Sequence, residues 1–254
     1  MFNASYSDVA HSITSNGFAI IPNAIGQAAR LLDLLLVAPL KHSAFTTKEF
    51  AASQKRKGDT VLLHVPYLAS DFTELISSLG LIEYIEEVSM RVNQWSGREF
   101  YYVSQYTARN PTRALPMHRD TFWPFREQAE FFQILIPLEN VSISNCTQYL
   151  PGSHLKDNPN LAVEPKDLIC SSGDVVILDS RLYHGSKQIS VNSTESRWML
   201  ILTLSPWWIR PIANYIGVSH DGTKPPYPSH LSVMYGSQFR CPSLGDEFVN
   251  IAPS

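Results

Sequence analysis

Charge is scarce in this chain. Only 17% of its 254 residues are Asp, Glu, Lys or Arg, against about 25% in a typical globular protein, and 44% are hydrophobic, which excludes a disordered or solvating segment. Positive charge is in no excess: 20 Lys and Arg face 23 Asp and Glu, for a net charge of −3, so no basic field attracts phosphate backbones or anionic lipid and nucleic acid is not an expected partner. Cysteine is rarer still. Cys146, Cys170 and Cys241 are odd in number, widely spaced and without a C-x-x-C pair, as suits reduced thiols in the cytoplasm. Long apolar runs are missing too. The longest, Leu31 to Leu40, is interrupted by Asp33 and Pro39 and falls short of the ~20 residues a membrane span needs. The amino terminus lacks the basic stretch and apolar run of a signal peptide. A soluble, cytoplasmic chain without a membrane span is expected, long enough for one domain with a sizeable core.

What is present divides the chain in two. Ser7 can cap a helix through Asn16, with Val9, Ala10 and Ile13 on one face and Gly17 as the left-handed stop. Phe18 to Ile21 reads as a strand ending at Pro22, and Gln27 to Val37 as a buried helix. Leu75 to Arg91 repeats the helical pattern through Leu79, Ile82, Ile85 and Val88. From about Phe100 the pattern becomes short β-branched or aromatic runs: Tyr101 to Tyr106, Phe131 to Leu138, Thr147 to Leu150, Val175 to Leu178 and Trp198 to Leu204. Helices followed by many strands, with no βαβ alternation and no internal repeat, predict an α+β fold in which helices flank a sandwich or barrel. The Pro-rich segment from Pro206 on reads as a wrap, a lid or a tail.

Among eight histidines, only His118 has a carboxylate two residues on, Asp120, at a predicted strand start. Residues i and i+2 of a strand share a face, so the two side chains can approach one cation; an exposed ion pair is the plain alternative. His184, just past the strand Val175 to Asp179, could complete a face of two histidines and one carboxylate with open positions opposite, suited to non-haem Fe(II) and oxygen. Arg197 opens the last apolar strand. Its planar fork matches a carboxylate in two-point contact, with a salt bridge to a protein acid as the alternative.

The order His118-x-Asp120, Leu150-Pro151-Gly152-Ser153-His154, Gly173-Asp174, His184-Gly185-Ser186, Asn192-Ser193 and Arg197 resembles the phytanoyl-CoA dioxygenase family of Fe(II)/2-oxoglutarate oxygenases. Asn16 to Pro22 is similar to that family's opening strand. The resemblance spans roughly Ser12 to Pro206. It implies a double-stranded β-helix, a jelly-roll or cupin-like barrel. The chain is expected to form a single domain 1–254, with helices and strands over residues 1–98, a β-helix core over 99–206 and, outside the resemblance, the Pro-rich wrap or lid over 207–254. The resemblance implies Fe(II) held by His118, Asp120 and His184, and 2-oxoglutarate held at its distal carboxylate by Arg197 with help from Ser186. Gln105, thirteen residues before His118, resembles a glutamine that contacts the cosubstrate in relatives, or is an ordinary polar strand residue. Oxygen is the third reactant: 2-oxoglutarate is decarboxylated to succinate and a small-molecule metabolite is oxidised, hydroxylation being the default and natural-product tailoring a natural setting. Asp120 disfavours halogenation, because halogenating relatives have a small residue there. Desaturation, cyclisation and epoxidation stay open, as does a homodimer.

His154 belongs to the family's turn rather than to a metal site. Arg119 and Arg126 place positive charge near the substrate mouth, where Trp123, with its aromatic neighbours, could wall a pocket. The chain departs from the family at Asn145-Cys146, where most relatives have Asn-Gly. Two other classes compete with the oxygenase: a non-catalytic β-barrel that binds a metabolite, and a Zn or Mn hydrolase or isomerase, which has no need of Arg197.

Overall fold

The computed structural model describes residues 2–41, 60–62, 65–67, 69–94, 101–111, 114–120, 128–129, 131–187 and 196–206. Helix α1 (Tyr6–Asn16) buries Val9, Ala10 and Ile13 and ends at Gly17, whose φ of 84° lets its N–H reach the Ile13 carbonyl. It begins earlier than Ser7 predicts: Ser5 occupies the cap position without a side-chain bond. Strand β1 (Phe18–Ile21) follows as expected, and α2 (Ala28–Lys41) runs past the expected Val37. The single helix expected over Leu75 to Arg91 is two, α3 (Ser70–Leu79) and α4 (Leu81–Val92). Gly80 lies between them at φ 59°, ending α3 with its N–H on the Ile76 and Ser77 carbonyls. The apolar period continues across the break, so Leu75, Leu79, Ile82, Ile85 and Val88 are all buried. Among the described residues no helix is long and apolar enough to cross a membrane.

The strands are β2 (Thr60–Leu62), β3 (Tyr101–Asn110), β4 (Leu115–His118), β5 (Phe132–Pro137), β6 (Thr147–Tyr149), β7 (Lys166–Leu168), β8 (Val175–Asp179), β9 (His184–Ser186) and β10 (Met199–Pro206). They form two antiparallel sheets, a larger one in the order β1-β8-β5-β10-β3-β2 and a smaller one in the order β4-β9-β6-β7. This is the α+β arrangement that the pattern predicts, in the jelly-roll form that the resemblance implies, with helices on one side of the larger sheet.

Strand alternation sorts the side chains between two cores. On β5, Phe132, Ile134 and Ile136 face the helix-side core, whereas Leu135 joins the core shared with the smaller sheet and Gln133 opens on a cavity. On β10, Leu200, Leu202 and Leu204 pack toward the helices while Met199 and Ile201 face the cavity. β3 changes face along its length. The pairing runs Thr203 with Gln105 and then Leu204 with Val103, leaving Ser104 as an extra residue bonded through its hydroxyl to Ser205 Oγ at 2.7 Å. Such a bulge exchanges inward and outward positions. Tyr101 and Val103 point to the helices before it, Tyr106 and Ala108 after it, and Gln105, Thr107 and Arg109 are turned into the cavity.

Candidate active site

The cavity, about 370 Å³, lies between the two sheets. His118 is the last residue of β4 and His184 the first of β9, and the two pair directly across the ladder with ring centroids 4.6 Å apart. Asp120 is not on the strand face shared with His118, as period two predicts; it lies in the bend beyond β4, where its N–H donates to the Ser180 carbonyl at 3.3 Å. Its carboxylate reaches between the rings, Oδ1 at 3.5 Å from His118 Nε2 and Oδ2 at 3.4 Å from His184 Nε2. One ligand atom from each of the three residues lies within 4.8 Å of the others.

His184 is delivered by a buried crossing from one sheet to the other. Arg181 donates to the Asp179 carboxylate through its side chain at 2.6 Å and through its backbone N–H at 2.9 Å, and both residues are almost wholly buried. Gly185 then lets β4 approach closely: a Cβ there would sit 2.6 Å from the Leu115 carbonyl oxygen.

The donor set fits a cation. Nδ1 of His118 bonds the Pro116 carbonyl at 2.8 Å and Nδ1 of His184 bonds the Leu182 carbonyl at 3.0 Å. A carbonyl only accepts, so each ring carries a proton on Nδ1 and places its Nε2 on the Asp120 side, where it is free to coordinate a cation when the ring is neutral and donates to the carboxylate when the ring is protonated. Asp120 Oδ2 is buried without a hydrogen-bond partner, an arrangement a bound cation relieves. Charge in the metal-free chain follows the same geometry. The bond to Asp120 raises the proton affinity of His118 against the opposing effect of burial. Burial alone would raise Asp120, but the His118 bond, the nearby His184 and a bond from Gln133 hold it below the ordinary carboxylate value.

Arg197, 3% exposed, lines the same cavity. Its backbone N–H donates to Asn110 Oδ1 at 2.9 Å, and Nη1 donates to the Asn145 carbonyl. That carbonyl belongs to the stretch that departs from the family, where Asn145 and Cys146 both keep an ordinary negative φ and Cys146 is buried. Ser186 and Gln105 also line the cavity; Ser186 Oγ accepts the Leu115 N–H at 3.2 Å and Gln105 Oε1 accepts the Thr203 hydroxyl at 3.4 Å. Arg119, expected at the substrate mouth, is not among the cavity residues: its guanidinium donates to the backbone carbonyls of Arg181, Asp157 and Ser153. Trp123, Arg126 and the segment 207–254 lie outside the described residues. His154 is buried on the Thr14 carbonyl at 3.0 Å, in the structural role its turn predicts. Sequence reading missed Gln133, Thr107 and Arg109. The alternation Gln105-x-Thr107-x-Arg109 was the available signal for two of them.

An antiparallel jelly roll with a His-Asp-His triad and an arginine in one cavity is the architecture of non-haem oxygenases. A profile of the phytanoyl-CoA dioxygenase (PhyH) family matches residues 15–197, and the chain belongs to this family of Fe(II)/2-oxoglutarate-dependent oxygenases. Its cofactors are accordingly Fe(II) and 2-oxoglutarate, with O2 as oxidant. No curated protein matches the chain by sequence. Solved structures that share the fold include the non-haem α-ketoglutarate-dependent carbocyclase SnoK from nogalamycin biosynthesis, 19% identical with a TM-score of 0.57 over 80% of this chain and 84% of that one. HygX from Streptomyces hygroscopicus, with nickel and 2-oxoglutarate bound, is 14% identical with a TM-score of 0.58 over 87% and 94%. The epimerase SnoN, also from nogalamycin biosynthesis, is 14% identical with a TM-score of 0.56 over 78% and 81%.

Proposed function

We propose that this chain oxidises a small-molecule metabolite, hydroxylation being the default outcome, with His118, Asp120 and His184 holding Fe(II) and Arg197 holding 2-oxoglutarate. The observation that carries the reading is the convergence of two imidazole Nε2 atoms and an unpartnered carboxylate oxygen in one cavity with a buried guanidinium. Bound Fe(II) supplies the redox chemistry by which O2 is divided between 2-oxoglutarate, which becomes succinate and carbon dioxide, and the substrate, which gains a hydroxyl. The chain's own work is placement. His118, Asp120 and His184 would hold the metal from one side, leaving the cavity for reactants. Arg197 would hold the distal carboxylate of 2-oxoglutarate through its guanidinium, with the Ser186 hydroxyl and the Gln105 amide as further contacts. Leu135, Met199 and Ile201 form the dry portion of the wall and keep water from the reacting centre.

Fold relatives that include an epimerase and a carbocyclase from nogalamycin biosynthesis support a setting in natural-product tailoring. We read 1–254 as one oxygenase domain acting in the cytoplasm. The test is anaerobic reconstitution with Fe(II) and 2-oxoglutarate, then addition of O2 and candidate metabolites. The expected result is succinate with a product heavier by one oxygen atom. A product lighter by two hydrogens selects desaturation or ring closure, and absence of succinate, with no metal-dependent absorption change, overturns the reading.

A further inference from the structure

Arginine carries five N–H donors in a planar fork and no acceptor. Arg119, between two residues of the triad, directs them at backbone carbonyls from separate segments. Nε donates to the Arg181 carbonyl at 2.8 Å, Nη1 to that of Asp157 at 2.8 Å, and Nη2 to those of Ser153, at 2.7 Å, and Lys156. The guanidinium also stacks on the Tyr183 ring, 4.5 Å from its centroid, a favourable cation–π contact. Tyr183 immediately precedes His184, and its N–H donates to Ser153 Oγ at 2.8 Å. One side chain therefore ties the arm carrying His118 and Asp120 to the arm carrying His184, with the turn at 153–157 as the third member of the joint.

The strand ladder between these arms is short. β4 and β9 pair at Leu115 with Ser186 and at His118 with His184, with an irregularity of register between them, so the Arg119 contacts add a side-chain tie to a ladder of two pairs and the Asp120 N–H bond to the Ser180 carbonyl.

We propose that Arg119 is a positioning residue that sets the spacing of the metal triad, so that metal affinity depends on a side chain that touches neither metal nor substrate. The proposal rests on the iron site described above. Residues that orient metal ligands typically change affinity by about 10- to 100-fold when removed. Lysine keeps the charge but has neither the fork nor the flat face that stacks, so Arg119→Lys falls between wild type and Arg119→Ala.

The experiment is titration of the metal-free full-length chain with Co(II), read by calorimetry and by the visible d–d absorption of the bound ion. Asp174→Asn serves as a control for general loss of stability, since the Asp174 carboxylate accepts the Asn23 and Ser171 N–H groups in a turn at the opposite end of β8. Expected are a Co(II) Kd raised about tenfold or more in Arg119→Ala, with a changed d–d band, a smaller rise in Arg119→Lys, and a Kd unchanged in Asp174→Asn. Should Arg119→Ala fail to fold, the Arg119→Lys titration decides by the same criterion. Wild-type affinity and spectrum in a folded Arg119 variant overturn this proposal alone. Failure of the wild-type chain to bind Co(II) overturns the iron reading and this proposal with it.

Discussion

Arg197 carries the sharpest demand on a single side chain. A guanidinium and an ammonium have the same charge, but only the guanidinium offers a carboxylate two parallel donors. Arg197→Lys should raise the Kd for 2-oxoglutarate about 10- to 100-fold, the equivalent of ~1.5–3 kcal/mol of charge-assisted hydrogen bonding. Calorimetry with 2-oxoglutarate and Co(II) checks it, and Co(II) affinity measured alone should stay at the wild-type value. Equal 2-oxoglutarate affinity would remove Arg197 from its assigned role. At this scale the sequence is legible where spacing constrains chemistry: His118, Asp120, His184 and Arg197 stand in the order the family pattern requires. It misleads at Arg119, because adjacency to two metal ligands along the chain says nothing about the direction of a long side chain. Arg119 turns to the backbone carbonyls of Arg181, Asp157, Ser153 and Lys156.

Between neighbouring elements, contact distance takes over. β4 and β9 meet at Gly185, where a methyl group would lie 2.6 Å from the Leu115 carbonyl and 3.2 Å from the Met117 nitrogen. Both atoms are backbone and cannot swing aside, so Gly185→Ala should destabilise the fold by about 1–3 kcal/mol through overpacking and weaken Co(II) binding by separating the strands that bear the histidines. Urea midpoints and a Co(II) titration measure the two effects, and wild-type values for both would contradict the close approach. Element scale is also where periodicity reaches its limit. The apolar pattern over Leu75 to Arg91 is helical throughout, yet the backbone breaks at Gly80 because the side chains on either side can remain in one core while the axis changes direction. Likewise the extra residue Ser104 reverses the faces of β3, and no local propensity marks it.

Across the whole molecule, two linkages are measurable. His154 joins the turn after β6 to the carboxyl end of α1 through the Thr14 carbonyl. Burial, the largest influence on it, lowers its proton affinity below the ordinary 6.5. Below pH 6.5 the unfolded chain therefore takes up a proton that the folded chain resists. The contribution of the neutral ring is complete above pH 6.5 and is lost progressively as pH falls toward the lowered folded value. Stability of the wild type relative to His154→Gln should consequently decline as pH is lowered through this window, as urea unfolding between about pH 8 and 5 would register; a difference independent of pH would refute the burial of a neutral imidazole. Metal binding provides the second linkage. Co(II) at 100 times its Kd should stabilise the metal-free chain by about 2.7 kcal/mol, on the order of 5–10 °C in Tm. Chelation should reverse the shift, and His118→Ala and Asp120→Ala should abolish it; a shift that persists in both variants would locate the metal elsewhere.

By itself the sequence determined the α+β composition, the strand-rich second half, and the spaced ligands that identify the family. Each of these is written in local periodicity or in the order and spacing of residue types along the chain. Tertiary structure alone decided that β4 and β9 lie side by side, that the bulge at Ser104 turns Gln105, Thr107 and Arg109 toward the metal triad, and that Gln133 steadies Asp120. These are contacts between segments tens of residues apart, and they exist only once two sheets have closed on a common interior.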